Sequence, residues 1–187
     1  ILSDLEDEWE SEEEARELEL ELESRIGSAR RTGVLNLTEQ GLLSLPPEIG
    51  DLTRLTELYL EVNDLTVLPA EIGNLTRLTK LNLTYNLITT LPPEIGNLTR
   101  LEELFVRDNS LTSLPPELFN LTNIKWLVLQ NNQLTSLPPE IGDMKNLSDL
   151  DLSHNSLTAL PPEIGNLTLL TSLNLAGNSL TALPPEI

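Results

Sequence analysis

The sequence predicts an α/β solenoid, a coil of short repeats whose concave side is a parallel sheet of about seven short strands. Three observations lead to this prediction. A 23-residue unit recurs six times without an insertion. Each unit contains an alternating apolar and polar run that is typical of a short strand. A non-repeating segment with helical periodicity precedes the units and predicts an N-terminal helical cap.

The repeated units occupy residues 45–182. They lie at 45–67, 68–90, 91–113, 114–136, 137–159 and 160–182, and the first reads LPPEIGDLTRLTELYLEVNDLTV. A partial unit, VLNLTEQGLLS, precedes them at 34–44, and a truncated seventh, LPPEI, follows at 183–187. We therefore expect one repeat domain over 34–187.

Within each unit the strand is predicted by alternation. In the first unit Leu58 and Leu60 alternate with Glu57, Tyr59 and Glu61, which gives the strand one buried face and one polar face. Because successive units run in the same sense, their strands pair in parallel. One unit cannot bury its own leucines, so the stacked units share a continuous core.

An asparagine and a proline position complete each unit. An Asn at a tight bend can satisfy buried backbone groups, and one column holds Asn63, Asn86, Asn109, Asn132, Asn155 and Asn178. All 13 prolines fall in the two positions after the leucine that opens a unit. There proline fixes the backbone as the chain turns to the convex side, where EIGNL predicts a helical turn.

Residues 11–33 predict the helical cap. Ser11 followed by Glu14 matches a capping box, and Gly33 is placed to end the helix. One helical stripe is formed by Ala15, Leu18, Leu22, Ile26 and Ala29. These signals predict a helix over about 12–31, although Gly27 weakens its continuity. Residues 1–10 are acidic and are expected to form a tail or a short separate helix.

The units resemble the leucine-rich repeat, L-x-x-L-x-L-x-x-N-x-L. The first match consists of Leu55, Leu58, Leu60, Asn63 and Leu65. The 23-residue form with LPPEI is similar to the intracellular subclass of Ras-suppressor-like proteins, plant Ras-group-related repeat proteins and the repeat regions of Roco-type proteins. The resemblance covers about residues 30–187. It implies a right-handed horseshoe that serves as a protein-protein interaction scaffold.

Composition narrows the function. The chain has 187 residues and a net charge of −19, and residues 1–24 alone contribute −11. Such an acidic chain is repelled by nucleic acid, so we expect no nucleic-acid partner. It contains no cysteine and no long apolar run, so we expect no disulfide, no membrane insertion and a cytoplasmic location.

The sequence offers little for chemistry. His154 is the only histidine, and Asp149 and Asp151 precede it closely. These three groups could bind a divalent cation, but polar residues are expected wherever a strand faces water. No phosphate-binding loop or nucleophile-base pair is recognisable. We therefore predict no enzyme activity, no catalytic or metal site and no cofactor.

The positions that vary between units predict the binding surface, because the others are committed to the fold. Four of the six aromatic residues, here called the aromatic set, fall at variable positions: Tyr59, Tyr85, Phe105 and Trp126. Aromatic residues and arginine dominate protein-binding hot spots. The predicted partner-binding residues are Glu57, Tyr59, Glu61, Tyr85, Glu103, Phe105, Arg107, Trp126, Val128, Asp151 and His154. We expect an aromatic ridge within an acidic frame, with Lys80 and Arg107 as local positive points, facing a partner with apolar and basic contact residues.

Three alternatives stay open at this stage. The chain could be the recognition domain of a larger signalling enzyme, such as a GTPase, kinase or ubiquitin ligase. It could also self-associate through its uncapped C-terminal repeat. Phe119 replaces a glycine of the other units, and it either fills a local gap or marks a second contact.

Overall fold

The computed structural model describes residues 24–187. Residues 24–32 are α-helical (α1), and the helix passes through Gly27 without a break. Gly33 follows with a φ of 77°, and its amide donates to the carbonyl of Ala29 at 2.8 Å. The predicted stop at Gly33 is therefore confirmed. The predicted capping box and the stripe residues before α1 lie outside the described residues and stay predictions.

Seven three-residue strands form one parallel sheet in chain order. They are β1 (Val34–Asn36), β2 (Glu57–Tyr59), β3 (Lys80–Asn82), β4 (Glu103–Phe105), β5 (Trp126–Val128), β6 (Asp149–Asp151) and β7 (Ser172–Asn174). Each strand pairs with the next in a register of 23 residues, so that Leu58 lies beside Leu81 and Leu81 beside Leu104. The offset between paired strands thus equals the repeat period. The predicted parallel sheet is confirmed.

Each crossover on the convex side contains a short 3-10 helix. The six are Pro47–Asp51, Ala70–Asn74, Pro93–Asn97, Pro116–Asn120, Pro139–Asp143 and Pro162–Asn166. The preceding proline is extended, as Pro92 shows with φ −68° and ψ 147°, which suits its restricted φ. The predicted helical turns are therefore present, one in each unit.

The core lies between the sheet and the 3-10 helices. The inward leucines of β1 to β6 are buried, including Leu58, Leu81 and Leu104, and Leu173 of β7 is half-buried. The Asn column supports the bend after each strand. Asn86 donates to the carbonyls of Leu60 (2.9 Å) and Leu83 (3.0 Å) and accepts from the amide of Leu65 at 3.1 Å. Each side chain in this column therefore satisfies backbone groups at the bend, as predicted, and it also joins its own repeat to the preceding one.

Phe119 fills a gap on the convex side. It is buried in the core, whereas the other units have glycine because their turns pack closely. A Cβ at Gly96 would lie 2.5 Å from the carbonyl oxygen of Glu117 in the next repeat. The turn containing Phe119 contacts the following turn less extensively than the other turns do, which leaves room for the ring. The gap-filling alternative is confirmed.

Candidate functional site on the concave sheet

The outward side chains of the strands form two columns on the concave face. Because the register is constant, residues 23 apart lie side by side. The first column contains Val34, Glu57, Lys80, Glu103, Trp126, Asp149 and Ser172, and the second contains Asn36, Tyr59, Asn82, Phe105, Val128, Asp151 and Asn174. Further along each repeat, one position adopts a left-handed backbone conformation, as at Tyr85 (φ 54°) and His154 (φ 53°).

Lys80 lies between two aromatic rings of the neighbouring strands. Its Nζ is 5.6 Å from the ring centre of Tyr59 and 5.4 Å from that of Phe105. The same Nζ contacts a carboxylate oxygen of Glu103 at 2.9 Å. Ring faces attract cations, so the lysine, two rings and the carboxylate form one cluster that spans β2, β3 and β4. We call these four residues the lysine cluster.

Acidic residues hold the edge of this cluster. The hydroxyl of Tyr59 donates to Glu57 at 2.7 Å. This hydrogen bond, followed by burial and the charges of Glu57, Glu103 and Glu61, raises the pKa of Tyr59 to about 12. The carboxylate of Glu61 accepts from the hydroxyl of Thr38 at 3.0 Å and from the side-chain amide of Asn82. Glu57 and Glu61 are therefore held in place by neighbouring side chains.

A second cluster lies beyond the ends of the strands. The guanidinium of Arg107 is 5.5 Å from the ring centre of Tyr85, and its Nε donates to Asp108 at 2.8 Å. This hydrogen bond to Asp108 is the main reason that the pKa of Arg107 is raised above its ordinary value. Tyr85 nevertheless leaves 51% of its surface exposed. The ring is thus positioned on one side by arginine and open to solvent on the other.

Trp126 and Val128 extend the apolar surface onto β5. Val128 lies beside Phe105 in register and is half-buried. Trp126 lies beside Glu103 and leaves 44% of its surface exposed.

In the structure three members of the aromatic set contact basic residues of this face. Tyr59 and Phe105 contact Lys80 on β3, and Tyr85 contacts Arg107 beyond the end of β4. The side chain of Lys80 lies within the predicted aromatic ridge, between the rings of Tyr59 and Phe105.

The predicted residues near the C-terminal end have a different environment. Asp151 accepts from the amide and the hydroxyl of Ser153 at 2.9 and 2.6 Å and from Asn174 at 3.2 Å. His154 is exposed, and its Nδ1 would lie 2.6 Å from a Cβ added at Gly177. Asp151 therefore orders its own bend, and His154 covers the next one. Over residues 24–187 no three acidic, histidine or cysteine side chains are grouped to hold a metal ion.

The contacts between neighbouring repeats are what sequence reasoning missed. Lys80 and Arg107 were expected as positive points for a partner, but each is paired with a carboxylate and a ring within the chain. The 23-residue spacing contains part of this signal, because it aligns Lys80 with Glu103. Which side chains bend toward each other depends on their rotamers, which the spacing does not specify.

The sequence profile described as "Leucine rich repeat" matches residues 53–107, 99–157 and 122–180. Together these matches extend from residue 53 to residue 180, more than half of the chain. The chain belongs to the leucine-rich repeat family. Repeats of this family are commonly protein-interaction modules, and the fold is typically a non-catalytic binding scaffold.

Solved structures share the leucine-rich repeat horseshoe. A leucine-rich repeat protein of Leptospira interrogans is 34% identical over 86% of this chain and 54% of its own, with a TM-score of 0.59. The ectodomain of the Arabidopsis thaliana membrane receptor kinase GASSHO1/SCHENGEN3, solved in complex with Casparian strip integrity factor 2, is 38% identical over 75% of this chain and 17% of its own, with a TM-score of 0.68. An internalin of Listeria monocytogenes is 26% identical over 80% of this chain and 46% of its own, with a TM-score of 0.65.

The chain spans about half or less of the length of each of these three proteins. No curated protein matches the chain. In the portion of the chain from residue 24 onward, no helix has the length and apolar character needed to cross a membrane.

Proposed function

We propose that this leucine-rich repeat chain is a non-catalytic recognition module that binds a protein or peptide on its concave sheet. The observation that carries the proposal is the placement of the aromatic set on neighbouring repeats of one face. Trp126 and Tyr85 remain about half exposed there. Exposed large rings on a solvated face are costly without a partner, and such rings supply much of the binding energy in protein interfaces.

The chemistry of this surface favours a partner that combines apolar anchors with lysine or arginine. Glu57, Glu61 and Glu103 border the rings of Tyr59 and Phe105, while the local cation Lys80 is already paired with Glu103. The uncompensated charge of the region is therefore negative. A basic partner would be steered toward it, and its apolar side chains would cover the exposed rings.

The outward side chains of the central strands are held in place, which favours rigid rather than adaptive binding. The lysine cluster holds Tyr59 and Phe105 in fixed positions, and hydrogen bonds hold Glu57 and Glu61. A preformed surface loses less conformational entropy when it binds. Asp151 and His154 are the weakest members of the proposed set, because their side chains contact their own or the next bend.

The intracellular subclass and a cytoplasmic location are further parts of the proposal. They are supported by the LPPEIGNL form of the units and by the absence of cysteine from the sequence. A second candidate is that the chain recognises partners for a larger signalling enzyme. The similar receptor kinase of Arabidopsis, which has leucine-rich repeats in its ectodomain, favours this arrangement.

A peptide-display selection tests the proposal. Random peptides are selected on the wild-type chain and on a variant with Tyr59→Ala, Phe105→Ala and Trp126→Ala, after circular dichroism has shown that both are folded. We expect the wild type to enrich peptides with aromatic or aliphatic residues next to Lys or Arg, and the variant to lose them. Enrichment of the same peptides by both proteins would reject the concave surface as the site.

A further inference from the structure

Three arginines form a row at the edge where the strands begin. Arg54, Arg77 and Arg100 occupy the same position in successive repeats, in the turn between the 3-10 helix and the strand. All three are exposed. The backbone next to them is stacked directly, since the amide of Thr79 donates to the carbonyl of Thr56 at 2.8 Å. Adjacent arginines are therefore about 5 Å apart at the backbone. We call these three residues the arginine row.

The arginine row differs from the other basic residues of the repeats. Lys80, Arg107 and Lys125 each contact a carboxylate, and Lys145 donates to the carbonyl of Asn166. Within the described residues no carboxylate lies within ion-pair distance of any member of the row. Three like charges side by side repel one another. In a chain with 30 acidic residues, a row that is unpaired in this way fits an anionic occupant.

The chain itself contains a matching segment. Residues 4–14 include eight acidic residues and no basic one. This acidic segment is connected to the row through α1. The end of α1 lies against the first arginine, because Arg30 and Arg54 line the same small cavity and a Cβ at Gly33 would lie 3.2 Å from the carbonyl oxygen of Arg54.

Distance does not prevent the two from meeting. The nine residues between 14 and 24 fall within the helix predicted from the sequence. They span about 14 Å at the helical rise of about 1.5 Å per residue, and about 30 Å if they are extended at about 3.3 Å per residue. Two repeat spacings separate Arg54 from Arg100, or about 10 Å. Covalent connection also gives the segment a local concentration on the order of millimolar. An acidic segment of another protein would need a higher concentration than this to compete for the row.

We propose that the arginine row is the docking surface for this chain's own acidic segment, residues 4–14. The row lies at the edge of the sheet, apart from the aromatic set, so this inference does not depend on the proposed concave site. Docking places eight acidic residues against three arginines, so the charge of this edge changes from positive to negative. The edge then adds to the negative field of the concave face that a partner meets.

Paramagnetic broadening in the full chain tests this docking. Because the chain contains no cysteine, Ser11→Cys provides a single position for a nitroxide label. We expect the label to reduce the amide peaks of 76–78 and 99–101 by more than half, and to spare 86–88 and 109–111 at the opposite edge of the same repeats. Raising the salt from about 0.01 M to about 1 M shortens the Debye length from about 30 to about 3 Å and should abolish the effect.

A matched pair of variants assigns the effect to the row. Arg77→Gln with Arg100→Gln should remove the broadening. Lys80→Gln with Arg107→Gln changes the net charge equally in the same two repeats and should preserve it. The proposal is overturned if broadening is absent at low salt, is equal at both edges, or persists in the first variant. It is also overturned if labelled and isotope-enriched molecules mixed together show the same broadening, because the occupant is then a second copy.

Discussion

The Asn86 column and the Tyr59 column recur in every repeat, a few residues apart, yet the structure uses them differently. In the Asn column each side chain makes the same hydrogen bonds to its own and the preceding repeat. In the Tyr59 column a tyrosine contacts lysine and glutamate, whereas Asp151 bonds to its own bend. The backbone dictates the residue in the Asn column and leaves the residues of the Tyr59 column free to vary. Recognition can therefore change without loss of the fold.

The largest expected effect tests the Asn column. Asn86→Ala leaves a buried amide and buried carbonyls without partners, at about 1–3 kcal/mol for each buried group, so we expect a loss of about 4 kcal/mol in the free energy of unfolding. Asn178→Ala removes similar bonds in the last repeat, but this residue is half-buried and water can replace them. Urea unfolding measures both. Equal losses would contradict the role of burial.

The next effect concerns the packing of the turns. Gly96→Ala places a Cβ 2.5 Å from the carbonyl oxygen of Glu117, so neighbouring repeats must separate, and we expect a loss of about 2 kcal/mol. The unit with Phe119 already has the wider spacing, so Phe119→Ala should destabilise in the opposite way, by leaving a cavity. Thermal unfolding checks both. An unchanged melting temperature for Gly96→Ala would show that neighbouring repeats can move apart at little cost in free energy.

A small effect on stability is expected at Trp126, in the outward column that lies beside the Tyr59 column on the concave face. Trp126→Ala removes an exposed ring from β5, and surface substitutions usually change stability by less than about 0.5 kcal/mol. The same urea measurement used for Asn86 provides the comparison. A loss of several kcal/mol would mean that the ring is required for folding, and the distinction between the Asn column and the concave face would not hold at this position.

The smallest effect on the fold is expected from Glu57→Gln, which tests the electrostatics of the concave face. The carboxylate of Glu57 holds the pKa of Tyr59 at about 12, above the ordinary value of about 10. Removing the charge should lower this pKa toward 10 in an ultraviolet titration. A Tyr85→Phe background leaves Tyr59 as the only tyrosine. An unchanged pKa would contradict the hydrogen bond.

The raised pKa also has a consequence for stability. The folded chain binds the Tyr59 proton more tightly than the unfolded chain does. The stabilisation is therefore fully present below about pH 10 and is lost as the pH rises from about 10 to about 12. Glu57→Gln should flatten this part of the stability profile.

The sequence predicts the Asn column almost completely and the outward columns of the concave face only in outline. Repetition at 23 residues places Leu58 beside Leu81. It also predicts the hydrogen bonds of Asn86, because every repeat has the same backbone groups to satisfy at its bend. It also places Tyr59, Phe105 and Trp126 on one face. The position of Lys80 between two rings depends on side-chain rotamers across three strands, and no periodic signal contains that information. The arginine row was visible as Arg at 54, 77 and 100, but its lack of partners required the structure.

Isothermal calorimetry with one selected peptide measures whether the concave rings bind a partner. The triple variant Tyr59→Ala, Phe105→Ala and Trp126→Ala is compared with a control that removes exposed apolar residues outside the strands, Leu43→Ala, Val67→Ala and Leu87→Ala. We expect the first to weaken binding by about 30-fold or more, equivalent to about 2 kcal/mol, and the control to bind as the wild type does. Equal affinities for all three proteins, or a loss confined to the control, would contradict binding by the concave rings.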